Sequence, residues 1–283
     1  MTQTEATQTE ATQADVTPST SRVTAAFARA AAERRAALIG YLPAGFPTVP
    51  DAIEAAKDMA KAGCDIIELG LPYSDPLIDG PVIQEAVHQA LMGGVRVADV
   101  LRTVEAIAAA DVPVLVMTYW NPIDHHGVAT FARELASAGG SGLITPDLPP
   151  EGAGDWIAAA DEFDLDRVFL VAPSSPPDRL KLITGACRGF VYAASVMGIT
   201  GARASVGAAA EGLVTATRGY TTLPVAVGLG VSSGAQAQQV AKFADGVIVG
   251  SAFVRRLLDA PDPAAGRASV RALAAELAEG VRS

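Results

Sequence analysis

Two carboxylates separated by eleven positions, Glu68 and Asp79, are the residues of this chain best placed for acid/base chemistry. Glu68 interrupts the apolar run Asp65-Ile66-Ile67-Glu68-Leu69, the pattern of a buried strand. A charge inside such a run is costly unless it is paired or neutralised. On a strand Ile66 and Glu68 share one face. A carboxyl on the inner face of a barrel, near its mouth, has its pKa raised by burial and becomes a proton donor near neutral pH. The plainer alternative is a structural ion pair, and the strand-end position favours catalysis. Asp79 follows in the loop Gly70-Leu71-Pro72-Tyr73-Ser74-Asp75-Pro76-Leu77-Ile78-Asp79-Gly80-Pro81, which can fold back over the strand end. One desolvated and one wetter carboxylate form a recurring acid/base pair. Asp75, directly before Pro76, fits the role of turn former better than Asp79 does.

A second set of residues suits an anion. Gly228-Leu229-Gly230-Val231-Ser232-Ser233 follows one apolar run, and Gly250-Ser251 follows the next and opens a helix. Glycines permit close backbone approach, and a helix start presents unpaired N–H groups to phosphate. Turns and helix caps alone would use the same residues. A third stretch, Met197-Gly198-Ile199-Thr200-Gly201-Ala202-Arg203, has the glycines of a mobile lid that excludes water. Thr200 could hydrogen-bond Asp147 of the Thr145-Pro146-Asp147-Leu148-Pro149 loop; Asp147 as a simple helix cap is the alternative.

Several chemistries are disfavoured. His88, His125 and His126 lack metal-ligand spacing, and Lys57, Lys61, Lys181 and Lys242 fall in helical patterns, which speaks against a Schiff-base lysine. No P-loop or dinucleotide fingerprint is found. Cys64 and Cys187 match no redox or metal spacing and read as buried thiols of a cytoplasmic protein. The net charge of −10 argues against nucleic acid and anionic membrane as partners, and makes any phosphate substrate dependent on local capture. No apolar run reaches the length of a membrane span.

These groups need a scaffold that gathers them at one end. Eight apolar runs, at 37–42, 65–69, 112–117, 142–145, 167–171, 189–193, 224–227 and 246–249, alternate with helix-patterned stretches, including one long one over 82–110. Half the residues are hydrophobic and few are aromatic, which suits a core of Ala, Val, Ile and Leu. The expected fold is a (β/α)8 TIM barrel, with a doubly wound open sheet as its rival. An amphipathic helix over 22–37 precedes the first strand and can plug the barrel bottom. Residues 1–20, with the repeat Thr-Gln-Thr-Glu-Ala, read as a disordered tail, and 21–283 as one domain. From spacing alone the expectation is a cofactor-free barrel that handles a phosphorylated substrate with two carboxylates.

The stretch Glu68-Leu69-Gly70-Leu71-Pro72-Tyr73-Ser74-Asp75-Pro76-Leu77-Ile78-Asp79-Gly80-Pro81-Val82-Ile83-Gln84 closely resembles the signature of the tryptophan synthase α subunits. Supporting matches are Tyr41-Leu42-Pro43-Ala44-Gly45-Phe46-Pro47, Met117-Thr118-Tyr119-Trp120-Asn121-Pro122, Pro146-Asp147-Leu148-Pro149, Gly198-Ile199-Thr200-Gly201 and the two glycine loops. The resemblance implies a lyase that cleaves indole-3-glycerol phosphate to indole and glyceraldehyde 3-phosphate. It implies Glu68 as general acid/base and Asp79 as the carboxylate at the indole N–H. Tyr41, Ile83, Met117 and Tyr119 would line the indole pocket, with Tyr192 beside it and Thr200 and Gly201 in the lid. Leu229, Gly230, Gly250 and Ser251 would complete the substrate site, with Asp147 supporting the lid. It further implies an α2β2 assembly with allosteric coupling, in which pyridoxal phosphate sits on the β subunit and indole passes through a tunnel. The loop after the second strand and Trp120-Asn121-Pro122 would then be the docking surface. Val196 and Leu229 stand where some relatives have an arginine and an aromatic, and Glu151-Gly152 where a pair of acids is common.

Overall fold

The computed structural model describes residues 21–195, 203–228 and 230–283. Nine parallel strands form one sheet: β1 (Ala37–Pro43), β2 (Ile66–Gly70), β3 (Val114–Met117), β4 (Gly142–Ile144), β5 (Asp166–Val168), β6 (Leu170–Val171), β7 (Val191–Ala194), β8 (Val225–Gly228) and β9 (Gly246–Val249). Their order is β5-β4-β3-β2-β1-β9-β8-β7-β6. The two ends of that order, β5 and β6, are consecutive pieces of one strand interrupted at Phe169, so the sheet closes on itself. Eight barrel positions result, with β8 and β9 as the seventh and eighth. The open-sheet rival is set aside by this closure, and the sequence expectation of one long strand over 167–171 is corrected only by the break at Phe169.

Register shows which residues look inward. Tyr41 pairs with Glu68, Glu68 with Leu115, and Tyr192 with Ala226. Strand alternation then puts Ile39, Ile66, Leu115, Ile144, Val168, Phe190, Ala226 and Ile248 in a packed lumen. The opposite strand faces, Leu38, Ile67 and Val116 among them, bury against the surrounding helices. Every residue of β1 and β2 is buried, as both faces of a parallel sheet require.

The barrel floor is sealed by α1 (Arg22–Ala32), which buries Val23, Ala26, Phe27 and Ala30, one face at helical spacing. Phe27 meets Phe190 at 5.4 Å between ring centroids. The plug expected from sequence is therefore in place.

Outside the sheet run α2 (Val49–Lys61), α3 (Pro81–Met92), α4 (Val97–Ala108), α5 (Trp120–His126), α6 (Val128–Ser137), α7 (Gly154–Glu162), α8 (Pro177–Ala186), α9 (Arg203–Arg218), α10 (Gly234–Ala241), α11 (Ser251–Leu258) and α12 (Pro263–Gly280). Two differ from the sequence expectation. The long pattern over 82–110 is two helices, α3 and α4, because Gly94 takes φ 82° after the α3 cap at Gly93. The segment holding His125 and His126, which the sequence places in a loop that begins a helix, is itself a helix, α5, with both in its last turn and His126 Nε2 2.8 Å from Glu134.

Candidate active site

Glu68 sits at the middle position of β2, on the lumen face, and is only 1 % exposed. Its Oε2 has no hydrogen-bond partner among the described residues. Burial, and then the negative charge of Asp79, push its carboxyl up to about 8. At neutral pH the group is mostly protonated, a buried acid with a proton to give.

Asp79 reaches the same place from the loop between β2 and α3, half-buried. The loop is clamped by the hydroxyl of Tyr119, the residue that caps α5. This oxygen accepts the backbone N–H groups of Leu77 and Ile78, each at 3.0 Å. The same hydroxyl is hydrogen-bonded to the Asp79 carboxylate. Gln84 Nε2 donates to the Asp79 carbonyl at 2.7 Å and fixes the backbone from the first turn of α3. Burial raises the Asp79 pKa and the Tyr119 hydrogen bond opposes the rise, so it is the more readily ionised of the two carboxyls. Asp75 lies on the exposed part of the loop and accepts from Ser74 Oγ at 2.5 Å.

Two tyrosines flank the acids in matching arrangements. Tyr41 leans from β1 over Gly70 of β2, where a Cβ would come within 2.3 Å of the Tyr41 hydroxyl. Tyr192 leans from β7 over Gly228 of β8, where a Cβ would come within 2.5 Å of the Tyr192 hydroxyl. In both pairs the glycine is two residues beyond the register partner of the tyrosine. Tyr192 keeps part of its surface open, yet it is deep enough that burial raises its phenol well above the usual value, as it does for Tyr41. Both therefore remain neutral donors. Sequence reading named the tyrosines but not Gly70 and Gly228, whose signal was only a glycine at the end of an apolar run.

Beside Tyr41 and Asp79 lies a nearly closed pocket of about 10 Å³, lined in part by Leu71, Val87, Met117 and Tyr119 as well. Its walls are mostly apolar with one carboxylate among them, the lining a ring with a single polar N–H would meet once the slot opens. Ile83 stands one turn before Val87 on the same face of α3, half-buried. Val87 and Thr118, also on the wall, escaped sequence reading because nothing in their type distinguishes them from core. A wider recess of about 830 Å³, largely open to solvent, lies at the barrel floor beside α1 and holds neither acid.

The anion end is sharper than the sequence suggested. The helix after β8, α10, already has its start occupied: Ser233 Oγ accepts the Gln236 N–H, and the Gly234 N–H donates to Glu276 Oε1 at 2.8 Å. The helix after β9 differs. Its cap is Gly250, with no side-chain cap, and only the Phe253 and Val254 N–H groups turn back to the Gly250 carbonyl. Helix geometry leaves the N–H groups of Ser251 and Ala252 for a ligand. Gly230 takes φ 70°, which favours glycine, in the neighbouring loop. Asp147 accepts the Trp120 N–H at 2.9 Å and so caps α5, the simpler of its two expected roles. Thr200 and Gly201, of the expected lid, and Leu229 lie outside the described residues.

A comparison with family models matches residues 27–282 to the model described as tryptophan synthase alpha chain. This chain belongs to that family. The tryptophan synthase alpha chain of Streptomyces coelicolor is 63 % identical to it over 256 residues, covering 90 % of this chain and 94 % of the relative. That of Salinispora arenicola is 60 % identical, covering 93 % and 98 %. Among solved structures, the aminoacrylate-bound tryptophan synthase from M. tuberculosis superposes with a TM-score of 0.85 at 53 % identity, over 92 % of this chain and 99 % of that one. The alpha subunit from Legionella pneumophila gives 0.83 at 30 % identity, over 92 % and 98 %. Alpha chains of tryptophan synthase are lyases of tryptophan biosynthesis that cleave indole-3-glycerol phosphate and pass indole to a β subunit. The family carries no cofactor of its own; pyridoxal phosphate belongs to the β subunit.

Proposed function

We propose that Glu68 and Asp79 divide the work of cleaving indole-3-glycerol phosphate in this chain, with the other residues holding the substrate across the barrel mouth. The indole ring occupies the slot of Tyr41, Ile83, Met117 and Tyr119, with Tyr192 opposite. The phosphate rests on the N–H groups of Ser251 and its neighbours, with Gly230, Gly250 and Leu229 around it. Thr200 and Gly201 belong to the covering loop, and Asp147 supports that side through its cap on α5.

Indole cannot depart as a carbanion, so C3 must first gain a proton. Protonated Glu68 supplies it, and positive charge develops at the ring nitrogen. The Asp79 carboxylate accepts the hydrogen bond of that N–H and stabilises the charge. The hydroxyl on the side-chain carbon bonded to C3 then loses its proton to the Glu68 carboxylate. That carbon becomes the aldehyde of glyceraldehyde 3-phosphate as the carbon–carbon bond breaks, and its electron pair returns to the ring, giving indole. Glu68 ends protonated, ready for the next cycle.

The observation that supports this reading most is the state of Glu68: fully enclosed on the lumen face of β2, raised to about 8, and beside a second carboxylate that stays more acidic. The β partner in an α2β2 assembly follows from family membership. The exposed Leu77 and Ile78 at the mouth, with the Trp120 segment beside them, are the proposed contact. A cytoplasmic site of action is part of the reading and is supported by two buried free thiols, Cys64 and Cys187. The catalytic unit is residues 21–283, with the preceding tail outside the chemistry.

The test is release of indole from indole-3-glycerol phosphate with and without added β subunit. Glu68→Gln should abolish cleavage and still activate the β subunit. Turnover unchanged from that of the unmodified chain would overturn the assignment.

A further inference from the structure

Among the polar groups at the barrel mouth, the Tyr41 hydroxyl has no task in the scheme above. A phenylalanine would line an indole slot equally well, and a buried hydroxyl costs free energy unless it finds a partner. Tyr41 and Glu68 are register partners on neighbouring strands, both on the lumen face, so their stems start about 5 Å apart. The Tyr41 ring cannot swing away. Gly250 stands 3.3 Å from its Cδ1 and Gly70 2.3 Å from its hydroxyl, each measured from where a Cβ would be, and the ring fills both spaces. The arrangement repeats that of Tyr192 over Gly228 of β8, and the charge of Glu68 acts on both phenols. Glu68 Oε2 is enclosed and without a partner among the described residues.

We infer that Tyr41 is a positioning residue for the proton donor: its hydroxyl supplies a hydrogen bond to the Glu68 carboxylate once Glu68 has given its proton to C3. This rests on the assignment of Glu68 as the acid. The titratable groups facing this pair are Asp79 from the loop, Tyr119 from the cap of α5, and Tyr192 from β7. Asp79 is engaged by Tyr119, which leaves Tyr41 and Tyr192 as the phenols available to Glu68. Because the Tyr41 phenol is held neutral by burial, it acts as a donor throughout the pH range of activity. The hydrogen bond is stronger to the ionised carboxylate than to the neutral acid, so it strengthens as the proton leaves and favours the transition state over the ground state.

The experiment is the pH profile of indole release by Tyr41→Phe in the α2β2 complex. Without the donor, the Glu68 carboxylate is less stabilised and holds its proton more tightly. The alkaline limb should move upward by roughly half a unit to one unit and kcat should fall about tenfold, with KM within about twofold, the size expected for one hydrogen bond to a charged group. A superimposable pH profile, or a raised KM at unchanged kcat, would show a ring that merely lines the slot and would overturn the inference. Site-specific 3-fluorotyrosine at position 41, a stronger donor of nearly the same shape, should move the limb downward. An unmoved limb in that protein would also contradict the inference, even if Tyr41→Phe fails to fold. Running Glu68→Gln alongside separates the two ideas. If it cleaves normally, the acid assignment fails. If it is inactive while Tyr41→Phe keeps its alkaline limb, only the role of Tyr41 fails.

Discussion

At the scale of single residues, the site works because two carboxyls of the same chemical type are placed in different surroundings. Glu68 is enclosed by the lumen and raised to about 8, whereas Asp79 is half-buried and keeps a hydroxyl donor. Each position was legible in the sequence: a carboxylate inside an apolar run and a second in a Pro/Gly loop. So was their division into a desolvated and a wetter acid; the clamp on the Asp79 loop was not, because it depends on Tyr119, whose hydroxyl lies 42 positions from Leu77 and is brought to it only by the fold. If Asp79 stabilises charge at the indole nitrogen, Asp79→Asn should lower kcat for cleavage by about 10²–10³-fold, the usual cost of losing such a group. Its circular dichroism and β-subunit activation should be unchanged. A loss confined to KM would instead make Asp79 a simple binding contact.

At the scale of elements, strand ends and helix starts do most of the positioning. The alternation of β1, β2 and β7 directs Tyr41, Glu68 and Tyr192 to one side, and glycines on the neighbouring strands leave room for both rings. The glycines after the seventh and eighth barrel strands were read from sequence as one anion site. The structure separates them, since α10 has its N–H groups occupied by Ser233 and Glu276 and α11 does not. That difference was invisible in sequence because Glu276 comes from α12, forty-two positions from Gly234. The helix α5 was missed for a related reason: its cap, Asp147, belongs to a different loop. If phosphate sits at α11, Ser251→Asp should raise KM for indole-3-glycerol phosphate by about tenfold or more with little change in thermal stability, because a fixed negative charge would oppose the anion. Unaltered affinity would place the phosphate elsewhere.

At the scale of the whole molecule, the barrel separates chemistry from stability. The mouth holds the acids, and the floor is a packed plug of α1 against Phe190 and its neighbours. The alternation of eight apolar runs made this architecture readable, while the closure of the ring through Phe169 and the division of the 82–110 pattern required the folded chain. The floor has its own misplaced carboxylate. Asp166 of β5 is fully buried, with Arg188 Nε at 3.5 Å, and burial lifts it from 3.8 to about 6. A carboxyl raised in the folded state costs nothing below about pH 4, where both states are protonated. The cost grows until the folded group ionises near pH 6, and it is complete above that. Asp166→Asn should therefore raise unfolding free energy at pH 7.5 by about 1–3 kcal/mol and make little difference at pH 4. Urea titrations at the two pH values measure both. A destabilised variant at pH 7.5 would show that the charge at this site is a net benefit.

The central claim is that Glu68 carries a proton at neutral pH, and the carboxyl carbon of Glu68 reports it directly. In protein labelled with ¹³C at glutamate carboxyls, the Glu68 resonance can be assigned by its disappearance in Glu68→Gln and followed across pH 4–10. The account predicts a midpoint near 8, coinciding with the alkaline fall in indole release. A midpoint near 4.5, the ordinary value for glutamate, would mean an ionised carboxylate throughout the working range and would contradict the acid role.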